Sequence, residues 1–193
     1  MPAREGEFLI YNPENLETEH VVLVNSEDVA IGTMEKMEAH RQGILHRAFS
    51  IYLFNDKGEL LLQKRADTKY HSGGLWTNTC CGHPRPNEAT EPAAHRRLKE
   101  ELGMTAVLTE YNSFIYKAHL DHGLIEHELL HIFIGKTVPF PIPNAEEVSD
   151  WRFQETTFLQ KDILLRPHLY TEWFKITLPM FLEKAPSVLF PEH

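Results

Sequence analysis

The stretch "TNTCCGHPRPNEATEPAAHRRLKEELGM", residues 77–104, limits the fold of this chain more than any other. Its second half predicts a helix, because Thr90 can cap the N-terminus, Pro92 falls in the first turn and Gly103 occupies the place of a C′ glycine. Apolar residues recur every four positions and predict one buried stripe, formed by Ala94, Leu98 and Leu102. The stretch therefore predicts a loop with reactive side chains, followed by a helix that packs on a core.

Predicted strands lie on both sides of this helix in the sequence. They are marked by β-prone or alternating residues and by turns rich in Asn, Asp and Gly. The predicted strands are "HVVLVN", "VAIGT", "RAFSIYLF", "ELLLQKR", "NSFIYKAHL", "LIEHELLHIFIG" and "SDWRFQ". "MEKMEAHRQ" predicts a short helix ending near Gly43, and "RPHLYTEWFKITLPMFLEK" predicts a terminal helix that Pro179 interrupts. This order predicts an α+β fold, an αβα sandwich with a mixed β-sheet in a single domain.

Length and charge narrow the class of protein. The chain has 193 residues, enough for one domain, and we expect a polar N-terminal extension over 1–18 and the domain over 19–185. A net charge of -9 argues against a nucleic-acid partner, because no basic stripe is available to neutralise phosphates. A small anion would need only a few Lys or Arg residues. We also expect no membrane segment and no secretion signal, since no apolar run is long enough.

The only two cysteines, Cys80 and Cys81, are adjacent. Neighbouring cysteines form a strained and uncommon disulfide, so we do not expect a fold held by disulfides. This pattern favours a reducing, cytoplasmic setting. There each thiol is either an inert small apolar group or a reactive one.

The segment His127–His131, "HELLH", matches the H-E-x-x-H pattern of zinc metalloproteases. That chemistry requires a helix, which places both histidines over one ion. Here "IFIG" follows the motif and "DHG" lies just before it, so a strand is favoured. On a strand the two histidines would lie about 13 Å apart, too far to share one ion.

A strand places Glu126 and Glu128 on the same face, where two carboxylates repel unless a cation or a shared proton lies between them. With His40, His46 and His83 they would form a set of three nitrogens and two oxygens, suited to Mn²⁺, Mg²⁺ or Zn²⁺. A solvated strand face and ordinary surface histidines remain the alternative, because these residues are far apart in sequence.

The loop and helix resemble the Nudix box, G-x5-E-x7-R-E-U-x-E-E-x-G-U, in which U is a bulky aliphatic residue. The matching positions are Gly82, Glu88, Arg96, Leu98, Glu100, Glu101, Gly103 and Met104. Arg97 departs from the pattern, because the family has a glutamate there. Since Nudix hydrolases hold catalytic metals with these glutamates, the exchange implies a chain that binds a diphosphate but hydrolyses it poorly. Arg96 and Glu100 could instead form a simple i,i+4 pair.

From about Glu19 to Trp173, the chain resembles the type I isopentenyl-diphosphate Δ-isomerases, a branch of the Nudix superfamily. The resemblance is carried by "EHVVLVN", "GTMEKMEAH", "LHRAFSIYLFNDKGELLLQKRA", "LWTNTCCGHP", "RRLKEELG", "IEHE" and "EWF". It implies a Nudix-like sandwich and an isomerase of isoprenoid precursor biosynthesis. The implied substrates are the small homoallylic and allylic diphosphates, isopentenyl and dimethylallyl diphosphate.

The same resemblance assigns roles to individual residues. It places the catalytic thiol on Cys81 and leaves Cys80 as a packing residue. The second catalytic group is Glu128, and an aromatic pair, Tyr116 and Trp173, lines the pocket. The implied Mn²⁺ or Zn²⁺ ligands are His40, His46, His83, Glu126 and Glu128. The implied diphosphate group comprises the cations Lys36, Arg65, Lys69 and Arg97, with Glu101 binding Mg²⁺ beside the diphosphate.

Two other functions stay open at this stage. A Nudix hydrolase of a nucleoside diphosphate derivative would need the full glutamate cluster, which Arg97 breaks, and would leave Cys81 without a role. A non-catalytic metal-binding or scaffold protein could keep the fold without the chemistry.

Overall fold

The computed structural model describes residues 19–137 and 140–184. The predicted extension, residues 1–18, lies outside them. The strands are β1 (His20–Val24), β2 (Ala30–Glu35), β3 (His46–Phe54), β4 (Leu60–Arg65), β5 (Trp76–Thr77), β6 (Cys80–Gly82), β7 (Thr109–His119), β8 (Ile125–Lys136) and β9 (Val148–Gln154). The helices are α1 (Lys36–Gln42), α2 (Thr90–Leu102), α3 (Thr156–Leu165) and α4 (Glu172–Lys184), with short 3₁₀ turns at Asp121–Gly123 and Pro167–Leu169.

Strand β3 is the centre of the mixed sheet. It runs parallel to β8 along its whole length, from His46 opposite Glu128 to Phe54 opposite Lys136. It is antiparallel to β6, and it meets β1 and β4 at its two ends. The β7–β8 hairpin and the β4–β9 pair extend the sheet on either side. The predicted hairpin over β3 and β4 is present only at its turn, because β4 then pairs mainly with β9.

Side chains alternate along β3 between two apolar layers, as the two-residue period of a strand requires. Phe49, Ile51 and Leu53 pack with α2 in one layer. Tyr52 and Phe54 pack with α3 and α4 in the other. The predicted αβα sandwich is confirmed, with α2 on one face of the sheet and the two C-terminal helices on the opposite face.

Helix α2 has the predicted buried stripe, because Ala94, Leu98 and Leu102 are fully buried. Gly103 ends it in the left-handed conformation, with φ +64°, and an added Cβ would lie 2.7 Å from the Ile142 carbonyl oxygen. The predicted Thr90 cap is wrong. The N-cap is the preceding residue, alanine, which has no side-chain acceptor, and Thr90 is the first helical residue.

The C-terminal region differs from the expectation in two ways. Helix α3 was not predicted, and the terminal helix begins at Glu172 instead of near residue 166. It then continues through Pro179, which was expected to interrupt it. Phe174, Leu178 and Phe181 are all buried against the sheet, so packing of this face outweighs the loss of one helical hydrogen bond at proline. Among the described residues no helix is both long and apolar enough to cross a membrane.

Candidate active site

A cavity of about 300 Å³ lies where strands β3, β6 and β8 approach helices α1, α2 and α4. Most of the predicted site residues line it. These are Lys36, Arg65, Lys69, Cys81, His83, Arg97, Glu101, Tyr116, Glu126, Glu128 and Trp173. The remaining two, His40 and His46, are fully buried and contact the carboxylates of Glu126 and Glu128. The structure therefore brings every predicted site residue to one place.

Strand register assembles the histidines and the carboxylates. In the parallel β3–β8 pair, His46 lies directly opposite Glu128. In the β7–β8 hairpin, Tyr116 also lies opposite Glu128. Glu126 and Glu128 share a face because they are two residues apart on one strand, as predicted, and each is only 5% exposed. Helix α1 brings His40 over this face, and the turn after β6 brings His83.

The five side chains form a compact cluster. One donor atom from each of His40, His46, His83, Glu126 and Glu128 lies within 4.8 Å of all the others. His83 Nε2 is 3.0 Å from Glu128 Oε1, and His40 Nε2 is 3.4 Å from Glu126 Oε2. Ligands bonded to one divalent ion at about 2.1 Å lie at most about 4.2 Å apart, so only a small inward movement separates this arrangement from a coordination shell.

Backbone contacts orient the buried imidazoles for metal binding. Nδ1 of His40 lies 2.7 Å from the Lys36 carbonyl oxygen, and Nδ1 of His46 lies 2.8 Å from that of Ile44. A carbonyl oxygen can only accept a hydrogen bond, so Nδ1 carries a hydrogen and, in the neutral ring, Nε2 keeps its lone pair. Both Nε2 atoms, together with Glu126 Oε2, are buried and have no hydrogen-bond partner. These three lone-pair atoms fit a metal centre, because buried polar atoms without any partner are otherwise unfavourable.

Burial of the side chains and repulsion between the two carboxylates determine which groups of the cluster carry a charge. Burial lowers the pKa of His46 to about 4 and also lowers that of His83. Burial, reinforced by the neighbouring Glu126 carboxylate, raises the pKa of Glu128 well above its ordinary value. The pKa of Glu126 is well below its ordinary value, because contacts with His40 outweigh the effect of burial. The carboxyl pair therefore keeps one proton, on Glu128, where Tyr116 Oη also donates to Oε2 at 2.7 Å.

The two cysteines occupy different environments. Cys80 is fully buried in the apolar layer under α2, as expected for a packing residue. Cys81 points the other way, lines the cavity and is paired in the sheet with Ser50. Burial, together with the Glu101 carboxylate, raises the pKa of the Cys81 thiol to about 12. Both cysteines are free.

Gly82 lies where a side chain would be crowded by its neighbours. Gly82 is the last residue of β6 and is not among the glycines with positive φ. A Cβ at this position would lie 3.2 Å from Phe49 Cζ and 3.3 Å from Arg97 Cγ. The missing side chain leaves room for Arg97 to cross the strand.

Cationic side chains from several elements line the cavity. Arg97 donates to Glu101 Oε1 at 2.6 Å and to Glu100 Oε2 at 2.8 Å. Lys36 forms an ion pair with Glu19. Arg65 lies with its guanidinium carbon 5.1 Å from the centre of the Trp173 ring. All four predicted diphosphate cations thus line the same cavity as His83, Glu126 and Glu128.

Trp173 is held in the cavity wall at several points. Its indole nitrogen donates to Thr77 Oγ1 at 2.9 Å. The ring of His71 meets it edge to face, with centroids 5.4 Å apart. Trp173 is only 4% exposed, so its ring is fixed in an apolar position beside the cavity.

Several residues of the cavity were not predicted, and two of them, His71 and Glu147, contact the predicted set. His71 is buried, and its Nε2 lies 3.9 Å from Glu126 Oε1. Glu147 contacts Lys69 and Arg97. Neither residue belongs to the motifs that carried the prediction. His71 precedes two glycines in a loop and Glu147 follows a short run of acidic and polar residues, patterns that are usual for exposed loops.

The rest of the Nudix-box match has structural roles. Glu88 accepts from Arg96 Nε and Nη2, both at 2.8 Å, and from the Arg85 backbone amide at 2.8 Å. Arg96 also pairs with Glu100 at 3.2 Å, which confirms the expected i,i+4 contact. These bonds tie the loop after β6 to helix α2 and so fix Cys81 and His83 relative to Glu101.

Solved structures with the same fold belong to Nudix proteins and related chains. DR0079 from Deinococcus radiodurans has a TM-score of 0.71 at 18% identity, over 84% of this chain and 98% of that one. A MutT protein from Methanosarcina mazei has a TM-score of 0.58 at 18% identity, over 72% of this chain and 94% of that one. At this identity the likeness supports the fold alone.

Sequence comparison identifies the family. Residues 44–174 match the NUDIX domain model. A protein of Photorhabdus laumondii named isopentenyl-diphosphate Delta-isomerase 2 is 54% identical, over 81% of this chain and 89% of that protein. The isopentenyl-diphosphate Delta-isomerase of Pectobacterium atrosepticum is 50% identical, over 81% of this chain and 88% of that protein. The chain therefore belongs to the isopentenyl-diphosphate Delta-isomerase family, within the NUDIX fold.

Proposed function

We propose that this protein interconverts isopentenyl diphosphate and dimethylallyl diphosphate, a step that supplies isoprenoid precursors. The observation that carries the proposal is the meeting of two proton-carrying groups, Cys81 and Glu128, in one cavity that cationic side chains also line. Relatives at 50% and 54% identity bear the name of this isomerase. The cations Lys36, Arg65, Lys69 and Arg97 suit a diphosphate, and the buried indole of Trp173 suits a hydrocarbon.

The reaction moves a double bond by one position. One carbon of the alkene gains a proton, which leaves a tertiary carbocation, and the neighbouring carbon then loses a proton. We assign delivery of the first proton to Glu128, which keeps a proton next to Tyr116. Cys81 accepts the second proton as a thiolate. Burial raises the pKa of the free thiol to about 12, so the thiol proton must first pass to solvent, and solvent reprotonates Glu128 after turnover. After the forward reaction Glu128 is ionised and Cys81 is protonated, which is the starting state for the reverse reaction.

The carbocation needs an environment that stabilises it without trapping it. The buried indole of Trp173 offers a π face, and a desolvated cation–π contact contributes about 2 kcal/mol. Exclusion of water prevents capture of the cation as an alcohol. A reduced thiol is required at Cys81, which is consistent with a cytoplasmic enzyme.

We assign one divalent ion, Mn²⁺ or Zn²⁺, to the ligands His40, His46, His83, Glu126 and Glu128. We assign Mg²⁺ to Glu101, beside the diphosphate. When bound, such ions offset negative charge on carboxylates and phosphates and keep those groups in place. The orphaned Nε2 atoms of His40 and His46 support the first assignment.

Incubation of the purified protein with isopentenyl diphosphate and Mg²⁺ tests the proposal. We expect dimethylallyl diphosphate as the product. A panel of nucleoside diphosphate derivatives, assayed in parallel for phosphate release, represents the alternative hydrolase. Arg97 replaces a glutamate that a hydrolase would use, so we expect no appreciable hydrolysis. Hydrolysis of the panel without isomerisation would overturn the proposal, and inactivity on every substrate would favour a non-catalytic protein.

We also predict that about one transition-metal ion per chain survives purification and that His83→Ala loses most of it, because a ligand is removed outright. Elemental analysis of both proteins gives the result. His95→Ala is the matched control, since His95 lies on α2 with its side chain 40% exposed and only a 3.9 Å contact to Glu91. Equal metal content in wild type and His83→Ala would contradict the ligand assignment.

A further inference from the structure

Glu147 lies between two of the cations assigned to the diphosphate. Its Oε2 accepts from Lys69 Nζ at 2.5 Å, and its Oε1 lies 3.2 Å from Arg97 Nη2. All three side chains are about one-fifth exposed, with values of 21% for Glu147, 19% for Lys69 and 18% for Arg97. The carboxylate therefore occupies positions on these two cations where a phosphate would bind.

The backbone holds Glu147 in this place. Its carbonyl oxygen accepts from the Ala66 amide at 2.9 Å, just after β4. Its own amide donates to the Asn144 carbonyl at 2.9 Å, and the Asn144 amide donates to the Glu101 carbonyl at 2.9 Å. Glu147 is thus tied both to the end of β4 and to the C-terminal end of α2. Its contact with the two cations follows from the fold and is not a chance position of a long surface side chain.

The charges around Glu147 keep it ionised. Burial alone would raise the pKa of Glu147, but Lys69 and Arg97 outweigh burial and the pKa is lowered. Arg97 also bonds to Glu101, which is only 5% exposed. Two carboxylates, Glu147 and Glu101, therefore already neutralise the cations on this side of the cavity.

We propose that Glu147 is a specificity-determining residue that, together with Glu101, makes diphosphate binding depend on a divalent cation. A diphosphate that reaches Lys69 and Arg97 must approach these carboxylates closely. Like charges a few ångströms apart in a partly buried site repel strongly. A divalent cation bound with the diphosphate removes this repulsion, so the metal-bound diphosphate is admitted and the metal-free anion is rejected. This role rests on the proposed function, because it concerns the same substrate group.

Calorimetric binding of inorganic pyrophosphate tests the proposal without any catalytic readout. Each protein is titrated once in EDTA and once in excess Mg²⁺. In EDTA, Glu147→Gln is expected to bind pyrophosphate at least about tenfold more tightly than wild type, because one repulsive charge and one competing ion-pair partner are lost. The factor by which Mg²⁺ improves binding should fall correspondingly.

Three further variants make the result decisive. Glu146→Gln removes the same charge from the exposed neighbouring residue and should behave as wild type. Glu147→Asp keeps the charge and should retain a strong dependence on Mg²⁺. Glu147→Ala should shift binding in the same direction as Glu147→Gln, and it decides the test if the glutamine variant does not fold. Weaker or unchanged binding in EDTA for the neutral variants would overturn the proposal, since Glu147 would then merely hold Lys69 and Arg97 in position.

The outcome is separable from that of the isomerase assay. The wild type could isomerise isopentenyl diphosphate while the neutral Glu147 variants bind pyrophosphate as the wild type does. That result would contradict only the role of Glu147. The wild type could instead bind pyrophosphate in a Mg²⁺-dependent way, and the variants could respond as expected, without any isomerisation. That result would contradict only the proposed function.

Discussion

Cys81→Ala is expected to reduce isomerase turnover by about 10²–10⁴-fold, the usual contribution of a positioned proton-transfer group. Cys81 lines the cavity, and alanine can neither donate nor accept a proton there. Binding of the diphosphate should change little, because the cations of the site are untouched. Steady-state kinetics with isopentenyl diphosphate, together with pyrophosphate affinity, give the measurement.

Cys80→Ala is the matched control for this prediction. Cys80 is fully buried under α2 and does not line the cavity. Its replacement should retain most of the turnover and reduce the free energy of unfolding by about 1 kcal/mol, through the loss of a small buried group. Equal loss of activity in both variants would mean that the loop has only a structural role or that the other thiol reacts.

Glu128→Gln is expected to reduce isomerase turnover by a similar factor and to leave the affinity for diphosphate nearly unchanged. Glu128 contacts His83 and Tyr116 and not the cations assigned to the diphosphate, and an amide cannot shuttle the proton. Metal content should be measured alongside kcat and KM, because Glu128 is also an assigned ligand. Normal turnover of this variant would exclude the assigned proton transfer.

Glu101→Gln should give the opposite kinetic pattern. Glu101 pairs with Arg97, one of the cations assigned to the diphosphate, so the variant should mainly bind diphosphate less tightly in Mg²⁺ and require more Mg²⁺ for half-maximal activity. A Mg²⁺ titration of KM, kcat and affinity separates the two glutamates. Glu91→Gln, an exposed change in the first turn of α2, serves as the control. Identical profiles for Glu101→Gln and Glu128→Gln would refute the separate roles assigned to the two glutamates.

Local pattern was sufficient for most of the fold, because the period of apolar residues reflects the geometry of each element. The stripe of α2 and the strand at "HELLH" followed directly from it. Helix α3 was missed because Phe158, Leu164 and Leu165 are exposed and obscure the buried pair Leu159 and Ile163. The continuation of α4 through Pro179 also could not be predicted, since burial of one helix face against a distant sheet decides it.

The candidate site also has one part that the sequence predicted and one part that it did not. Residue type and spacing on a strand placed Glu126 and Glu128 on one face, and the motif resemblance indicated Cys81 and Glu101. Nothing in the spacing of His40, His46 and His83 brings them to those carboxylates. The parallel register of β3 and β8 does so for His46, opposite Glu128, and it joins segments about 80 residues apart in the chain. The packing of α1 and of the loop after β6 does so for His40 and His83.

The sequence by itself therefore determined which chemical groups are available and on which local elements they lie, because both depend on side-chain type and on short-range geometry. Only the tertiary structure decided which of these groups meet. Strand pairing, helix α1 and the loop after β6 brought the three histidines to the carboxylates, with one donor atom of each residue within 4.8 Å of the others. Loop docking brought Glu147, which no motif marked, between Lys69 and Arg97. Such long-range contacts arise from cooperative burial of the whole sheet and its helices, which no local sequence pattern encodes.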